Sequence, residues 1–209
     1  MVDIQDIELQ SAPRKAAVVV ISLALLASSV VYSTRSNAVA AENENKQKNF
    51  AVSRAAFLEV YKVLMHPRCM NCHPNGDRPL QGEDSDIHMM NVKRGEKGTG
   101  KYALRCANCH QEKNVAGANM PPGNPNWHLP PANMRMVFQG RSPRELALQL
   151  VDPRQNGGKS LDDLLHHSDD GLVKWGWDPG DGRSKPPLSH EEFAKQWRIW
   201  IENGAAAPE

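Results

Sequence analysis

The sequence predicts a mainly α-helical domain with long loops, on three observations. Serine-led capping signals open several segments of helical periodicity. Gly- and Pro-rich stretches separate those segments, and no run alternates apolar and polar residues as a half-buried strand would. The chain has 209 residues, including 15 Gly and 15 Pro. That length suits one domain or two small ones. A formal charge of +1 argues against nucleic acid as the main partner, because phosphate binding needs a basic surplus. Four cysteines are too few for a disulfide-dense scaffold.

Taken in order, residues 16–32 read AAVVVISLALLASSVVY, an apolar run without charge behind Arg14 and Lys15. Ala38-Val39-Ala40 follows and fits the small-x-small cleavage rule, so residues 1–40 read as an export signal cleaved after Ala40. The competing reading is an uncleaved anchor in the inner membrane, for which 17 apolar residues are at the short limit. Either way the remainder is delivered outside the cytoplasm, to the periplasm. Residues 41–52 are polar and read as a flexible linker. Residues 53–204 form the expected domain, with 205–209 as a tail.

Within that domain, Ser53 is placed to cap a helix running to about Leu64, with Phe57, Leu58, Tyr61 and Leu64 on one face. His66-Pro67 stops it. Residues 74–100 and 115–131 are loops by composition, and loops of that length are uncommon unless they carry function. Ser142-Pro143-Arg144-Glu145 is a capping box, with Asp152-Pro153 ending its helix. Ser160 caps a short helix over 161–167. Ser189-His190-Glu191-Glu192 opens another that ends near Gly204. Phe193, Trp197, Trp200 and Ile201 form its apolar stripe, expected to pack on the amino-terminal helix.

The chemistry lies in two identical signatures, Cys69-Met70-Asn71-Cys72-His73 and Cys106-Ala107-Asn108-Cys109-His110. Each is C-x-x-C-H, the attachment pattern of a c-type haem. Two thiols three positions apart lie on one side of a helical turn, where they can bond the two vinyl groups of one haem. The next histidine then sits under the iron. The expected cofactors are therefore two covalently attached haem c groups, held by Cys69, Cys72, Cys106 and Cys109, with His73 and His110 as proximal iron ligands. Only 37 residues separate the two histidines, so one small domain would hold both haems close together. A four-cysteine zinc module is the alternative, and it would leave both histidines idle.

The sixth iron position decides between electron transfer and ligand chemistry. His88, in Asp86-Ile87-His88-Met89-Met90, and His128, in Trp127-His128-Leu129, are the distal candidates because each sits in a loop among apolar neighbours. Met120 and Met134 are the alternatives, and Met would raise the reduction potential. His66 is too close to Cys69 to reach an iron, at most one of His166 and His167 points at a haem, and His190 is expected to be solvated. Trp175 and Trp177 are expected to pack within a loop.

The stretches RCMNCHPNGDRPLQG (68–82), MNVKRG (90–95), RCANCH (105–110), WHL (127–129), DPRQNGG (152–158) and WGW (175–177) resemble a group of small bacterial dihaem cytochromes c. That group carries the label "isoquinoline 1-oxidoreductase subunit", from its association with molybdenum hydroxylases. The resemblance covers about residues 66–204. It implies an electron acceptor for an exported molybdenum hydroxylase or dehydrogenase, passing electrons to an acceptor cytochrome or oxidase of the respiratory chain. All four cysteines are assigned to haem, which leaves none for iron–sulfur clusters. The chain is accordingly expected to be a carrier and not an enzyme. The second reading is a dihaem peroxidase-like enzyme with an open iron, for which Glu83, Asp84 or Asp86 would supply the distal acid or base.

Overall fold

The structure, a computed structural model, describes residues 15–117 and 119–209, with side chains described from Val39 onward. It has two compact units, Met1–Gln47 and Lys48–Glu209. The export-signal reading falls largely on residues 1–14 and on side chains 15–38, which lie outside the described residues. No helix among the described residues is long and apolar enough to cross a membrane.

The first helix, α1, covers Lys15–Leu64. Residues 42–49, expected to be a linker, are helical in it, and 42–49 are all exposed. Ala, Glu, Lys and Gln dominate there, and these are good helix formers that need no packing partner. Ser53 therefore caps nothing. It sits inside α1, fully buried, where its hydroxyl donates to Trp200 O at 2.7 Å and accepts from Ala206 N at 2.9 Å. The buried face of α1 is Ser53, Ala56, Phe57, Val60, Val63 and Leu64. Leu58 is exposed, because one residue turns a helix by about 100° away from Phe57.

The two capping boxes form as the sequence reads them: α3 (Pro143–Val151) is opened by Ser142 and Glu145, and α7 (His190–Glu202) by Ser189 and Glu192. Ser160 caps α5 (Leu161–His167) as read, and Asp163 completes a third box there. Shorter helices complete the set: α2 (Pro67–Met70), α4 (Pro153–Asn156) and α6 (Gly171–Trp175). Sheet is limited to two antiparallel hairpins of two-residue strands, β1 (Leu80–Gln81) with β2 (Asp86–Ile87) and β3 (Gly100–Lys101) with β4 (Leu104–Arg105). The fold is thus helices joined by long loops with little sheet.

The core forms where the stripe of α7 meets α1. Phe57 and Trp200 have ring centroids 4.7 Å apart, Trp197 and Trp200 5.0 Å. Leu146, Ala147 and Leu150 of α3 and Leu164 of α5 close the cluster. Both indole N–H groups of this cluster find a carbonyl, Trp197 on Leu164 O at 2.7 Å and Trp200 on Ala206 O at 3.2 Å. Residues 205–209 are a strap, not a loose tail. Arg54 Nε donates to Ala207 O, Arg144 Nη1 donates to Pro208 O, and Pro208 is buried.

Ser53 is the polar pin of this arrangement. Ser53→Ala is expected to lose about 1–3 kcal/mol, because it removes a fully buried hydroxyl and leaves the part-buried Ala206 N–H without its acceptor. A lower urea midpoint at unchanged slope would establish this, and an unchanged midpoint would refute it.

Candidate functional site

Both C-x-x-C-H signatures fold as a single helical turn. In the first, Pro67 opens α2 and Cys72 N donates to Cys69 O at 3.2 Å, His73 N to Met70 O at 2.9 Å. In the second, a 3₁₀ turn covers Cys106–Asn108, with Cys109 N on Cys106 O at 3.1 Å and His110 N on Cys106 O at 2.9 Å. Cysteines at i and i+3 therefore share a face in each signature. The two turns also approach one another, because Cys72 lies within electrostatic reach of Cys106.

The histidines that follow have matching surroundings. His73 Nδ1 bonds Met136 O at 2.7 Å, and its ring stacks on Phe138 with centroids 3.9 Å apart and planes 6° from parallel. His110 Nδ1 bonds Pro122 O at 2.7 Å, and its ring stacks on Trp127 at 4.2 Å and 8°. A carbonyl can only accept, so Nδ1 carries the proton and Nε2 keeps its lone pair. Burial pushes His73 down to about 4, against the opposing pull of the Met136 carbonyl. Burial likewise lowers His110, with the Pro122 carbonyl opposing and His88 and Arg183 adding to the shift. Both imidazoles are neutral at pH 7, the form that binds metal.

Burial pushes the Cys69 thiol up to about 12 and the Cys72 thiol up to about 11, each with a neighbouring cysteine adding to the rise. Cys106 is raised by burial too, while Cys109 is exposed. Burial thus favours the thiol form at Cys69, Cys72 and Cys106. Among the described residues no three metal-ligating side chains converge. A haem iron asks for only two protein donors on one axis.

The remaining histidines divide by which ring nitrogen is engaged. His88 Nδ1 bonds Met89 O at 2.9 Å and His128 Nδ1 bonds Asn126 O, and no hydrogen bond engages either Nε2. His88 is half-buried with its centroid 6.3 Å from that of His110, and His128 is exposed and within electrostatic reach of His73. By contrast His66 accepts from Arg68 N and meets the Ser184 hydroxyl through Nε2, and His166 faces Asp162 at 3.7 Å. His190 is half-buried and not simply solvated: its Nε2 meets Ser168 O at 2.9 Å, and its ring packs edge-on against Trp177. His167 lies near His73 and His128, and burial lowers it.

Of the methionines, Met136 meets His73 through its backbone, Met134 lies over Gly157, and the Met120 carbonyl is held by Arg183. Glu83 accepts from Arg68 Nη2 at 2.7 Å and from the Ser184 hydroxyl. Burial opposes its ionisation, yet Ser184 and Arg68 together hold its carboxyl below the usual range. Asp84 and Asp86 are exposed.

No family model, curated protein or solved structure matches the chain.

The residues fit a haem by their donor chemistry. Each signature offers two thiols and one neutral imidazole with a free Nε2. Around the second, Ile87, Met89, Leu104 and Met120 expose apolar side chains of the kind a porphyrin face covers. Trp175 joins them edge-on to Trp127 at 4.9 Å, with its buried Nε1 lacking a partner. Sequence reasoning missed Phe138, Trp127 as a stacking partner, and the carbonyls of Met136 and Pro122. A backbone carbonyl leaves no trace in residue type, and Phe138 is 65 positions from His73.

Proposed function

We propose that the chain is an exported dihaem c-type cytochrome that carries electrons between a dehydrogenase and the respiratory chain. The observation that carries the reading is the doubled environment of His73 and His110: one helical turn of C-x-x-C, one Nδ1–carbonyl bond of 2.7 Å, and one parallel aromatic ring for each. Bound there, each haem would supply a one-electron Fe(III)/Fe(II) couple.

The chain's own residues would do the rest. The thiols of Cys69, Cys72, Cys106 and Cys109 would hold the two haems as thioethers, each thiol adding across a vinyl group, sulfur to one carbon and hydrogen to the other, so no oxidant would be required. Met136 O and Pro122 O fix the tautomer of His73 and His110 and make each imidazole more electron-rich. The fixed rings of Phe138 and Trp127 stop the imidazoles from rotating.

His88 is the favoured sixth ligand on the His110 side. The His88 and His110 ring centroids lie 6.3 Å apart, so both imidazoles would be at hand for a haem held by Cys106 and Cys109. His128 is the candidate on the His73 side. Filled sixth positions suit a carrier, and Glu83, held as an anion by Arg68 and Ser184, is a poor proton donor for peroxide cleavage. A periplasmic location and a molybdenum hydroxylase as donor follow from the export signal and the family resemblance. A net charge of +1 leaves docking to local patches.

The test is to export the chain in a host competent for c-haem attachment and to record the pyridine complex after denaturation. Two haems per chain are expected, and one in each of the Cys69→Ala/Cys72→Ala and Cys106→Ala/Cys109→Ala variants. A colourless folded protein would overturn the reading and direct the next assay to zinc.

A further inference from the structure

Arg94 is the only fully buried charged side chain among the described residues, at 0% exposure. Its Nη1 donates to Pro130 O at 2.6 Å and its Nη2 to Gly76 O at 3.2 Å. It thereby joins the loop that leaves His73 to the loop that carries His128. Its Nε is buried and has no partner. No carboxylate among the described residues pairs with it. The carboxylate that bears on it most, Asp77, acts only at a distance and faces Lys101 at 3.7 Å, while Arg135 adds positive charge to the same region. A buried guanidinium capped only by carbonyls keeps its full charge without compensation, which is strongly unfavourable unless an anion reaches it.

Chemistry and position identify that anion. Arg94 lies within electrostatic reach of Cys72 and His73, and Gly76 follows His73 by three residues. A guanidinium fork matches a carboxylate in plane and spacing. We propose that Arg94 takes a propionate carboxylate of the haem held by Cys69, Cys72 and His73. This rests on the dihaem reading above.

The experiment uses the exported holoprotein. Resonance Raman spectra are recorded in H2O and D2O for the wild type, Arg94→Gln and Arg94→Lys, with midpoint potentials from a redox titration. In the wild type, one propionate bending band should shift in D2O, since its partner hydrogens exchange. Arg94→Gln should move that band and lower the potential of one haem only, because the positive charge that favours the ferrous state is gone. Arg94→Lys should move the band but hold the potential near wild type, since charge survives and the fork does not. The proposal is overturned if the wild type shows no D2O-sensitive propionate band, a result that stands even if Arg94→Gln fails to accumulate. It is equally overturned if both variants leave bands and potentials unchanged, which would leave Arg94 as a loop clamp alone. A chain without haem in the pyridine assay would defeat the underlying reading instead, so the two failures are distinguishable.

Discussion

Trp200→Ala is expected to destabilise the folded chain by about 3–5 kcal/mol, the range for removing a large buried aromatic. Trp200 is fully buried and makes three kinds of contact at once. Its ring packs on Phe57 and Trp197, with centroids 4.7 and 5.0 Å away. Its indole N–H is the donor that holds Ala206 O, and its own carbonyl accepts from Ser53. Alanine would lose the packing and leave a cavity between α1 and α7, and the strap at residues 205–209 would lose an anchor. Since a domain of this size shifts by about 2–4 °C per kcal/mol, the melting midpoint should fall by on the order of 10 °C. Far-UV circular dichroism is the suitable probe, because it reads the helices directly and a bound haem would quench tryptophan fluorescence. A loss below about 1 kcal/mol would mean that the α1–α7 contact is not the centre of the core. Phe57→Ala combined with Trp200→Ala should cost less than the two separate losses together, because each removes the other's partner.

The contrast between what could and could not be read from the sequence follows the range of the interactions. Ser142, Ser160 and Ser189 cap their helices as read, since a capping box is contained within four residues. Phe193, Trp197, Trp200 and Ile201 are buried as read, because helical periodicity is local. Ser53 looks like a cap by the same local logic, but its partners are Trp200 O and Ala206 N, 147 and 153 residues away. Tertiary hydrogen bonding used a residue that local preference would have placed at a helix start. His190 shows the same limit, its Nε2 meeting Ser168 O across 22 positions.

The candidate site divides along the same line. The cysteines and the histidines after them form a contiguous pattern, and the structure gives both the helical turn their spacing implies. His88 and His128 stand out in the sequence only by their apolar neighbours, a weaker signal. What sets them apart in the structure is a tautomer: Nδ1 tied to a nearby carbonyl and Nε2 free, as in His73 and His110. Arg94 gave no signal at all in the sequence. A charged residue in a Gly-rich loop normally reads as solvated, and only the folded chain shows it enclosed.

His88 carries the second large expectation. In the holoprotein, His88→Ala should convert one of the two haems from low-spin to high-spin and let it bind carbon monoxide, leaving the other unaltered. The argument is one of proximity: the His88 ring centroid lies 6.3 Å from that of His110, and among the described residues no hydrogen bond engages either Nε2. His88 is also held for the role from both sides. Arg78 Nη2 donates to its carbonyl at 2.5 Å, its Nδ1 is tied to Met89 O, and the β1–β2 hairpin ends immediately before it. Removing the imidazole removes the donor and the Nδ1 bond to Met89 O, and leaves the Arg78 bond to the His88 carbonyl and the β1–β2 hairpin in place. His88→Met tests the same position differently. A thioether there should restore the low-spin state, add the weak long-wavelength Met–iron band, and raise the potential of that haem by on the order of 0.1 V, within the roughly 0.8 V span that axial ligands control. If His88→Ala leaves both haems low-spin and inert to carbon monoxide, His88 is not a ligand. If a single high-spin haem is already present in the wild type and His88→Ala makes the second haem high-spin as well, the open iron belongs to the His73 side, and the peroxidase-like reading gains over the carrier.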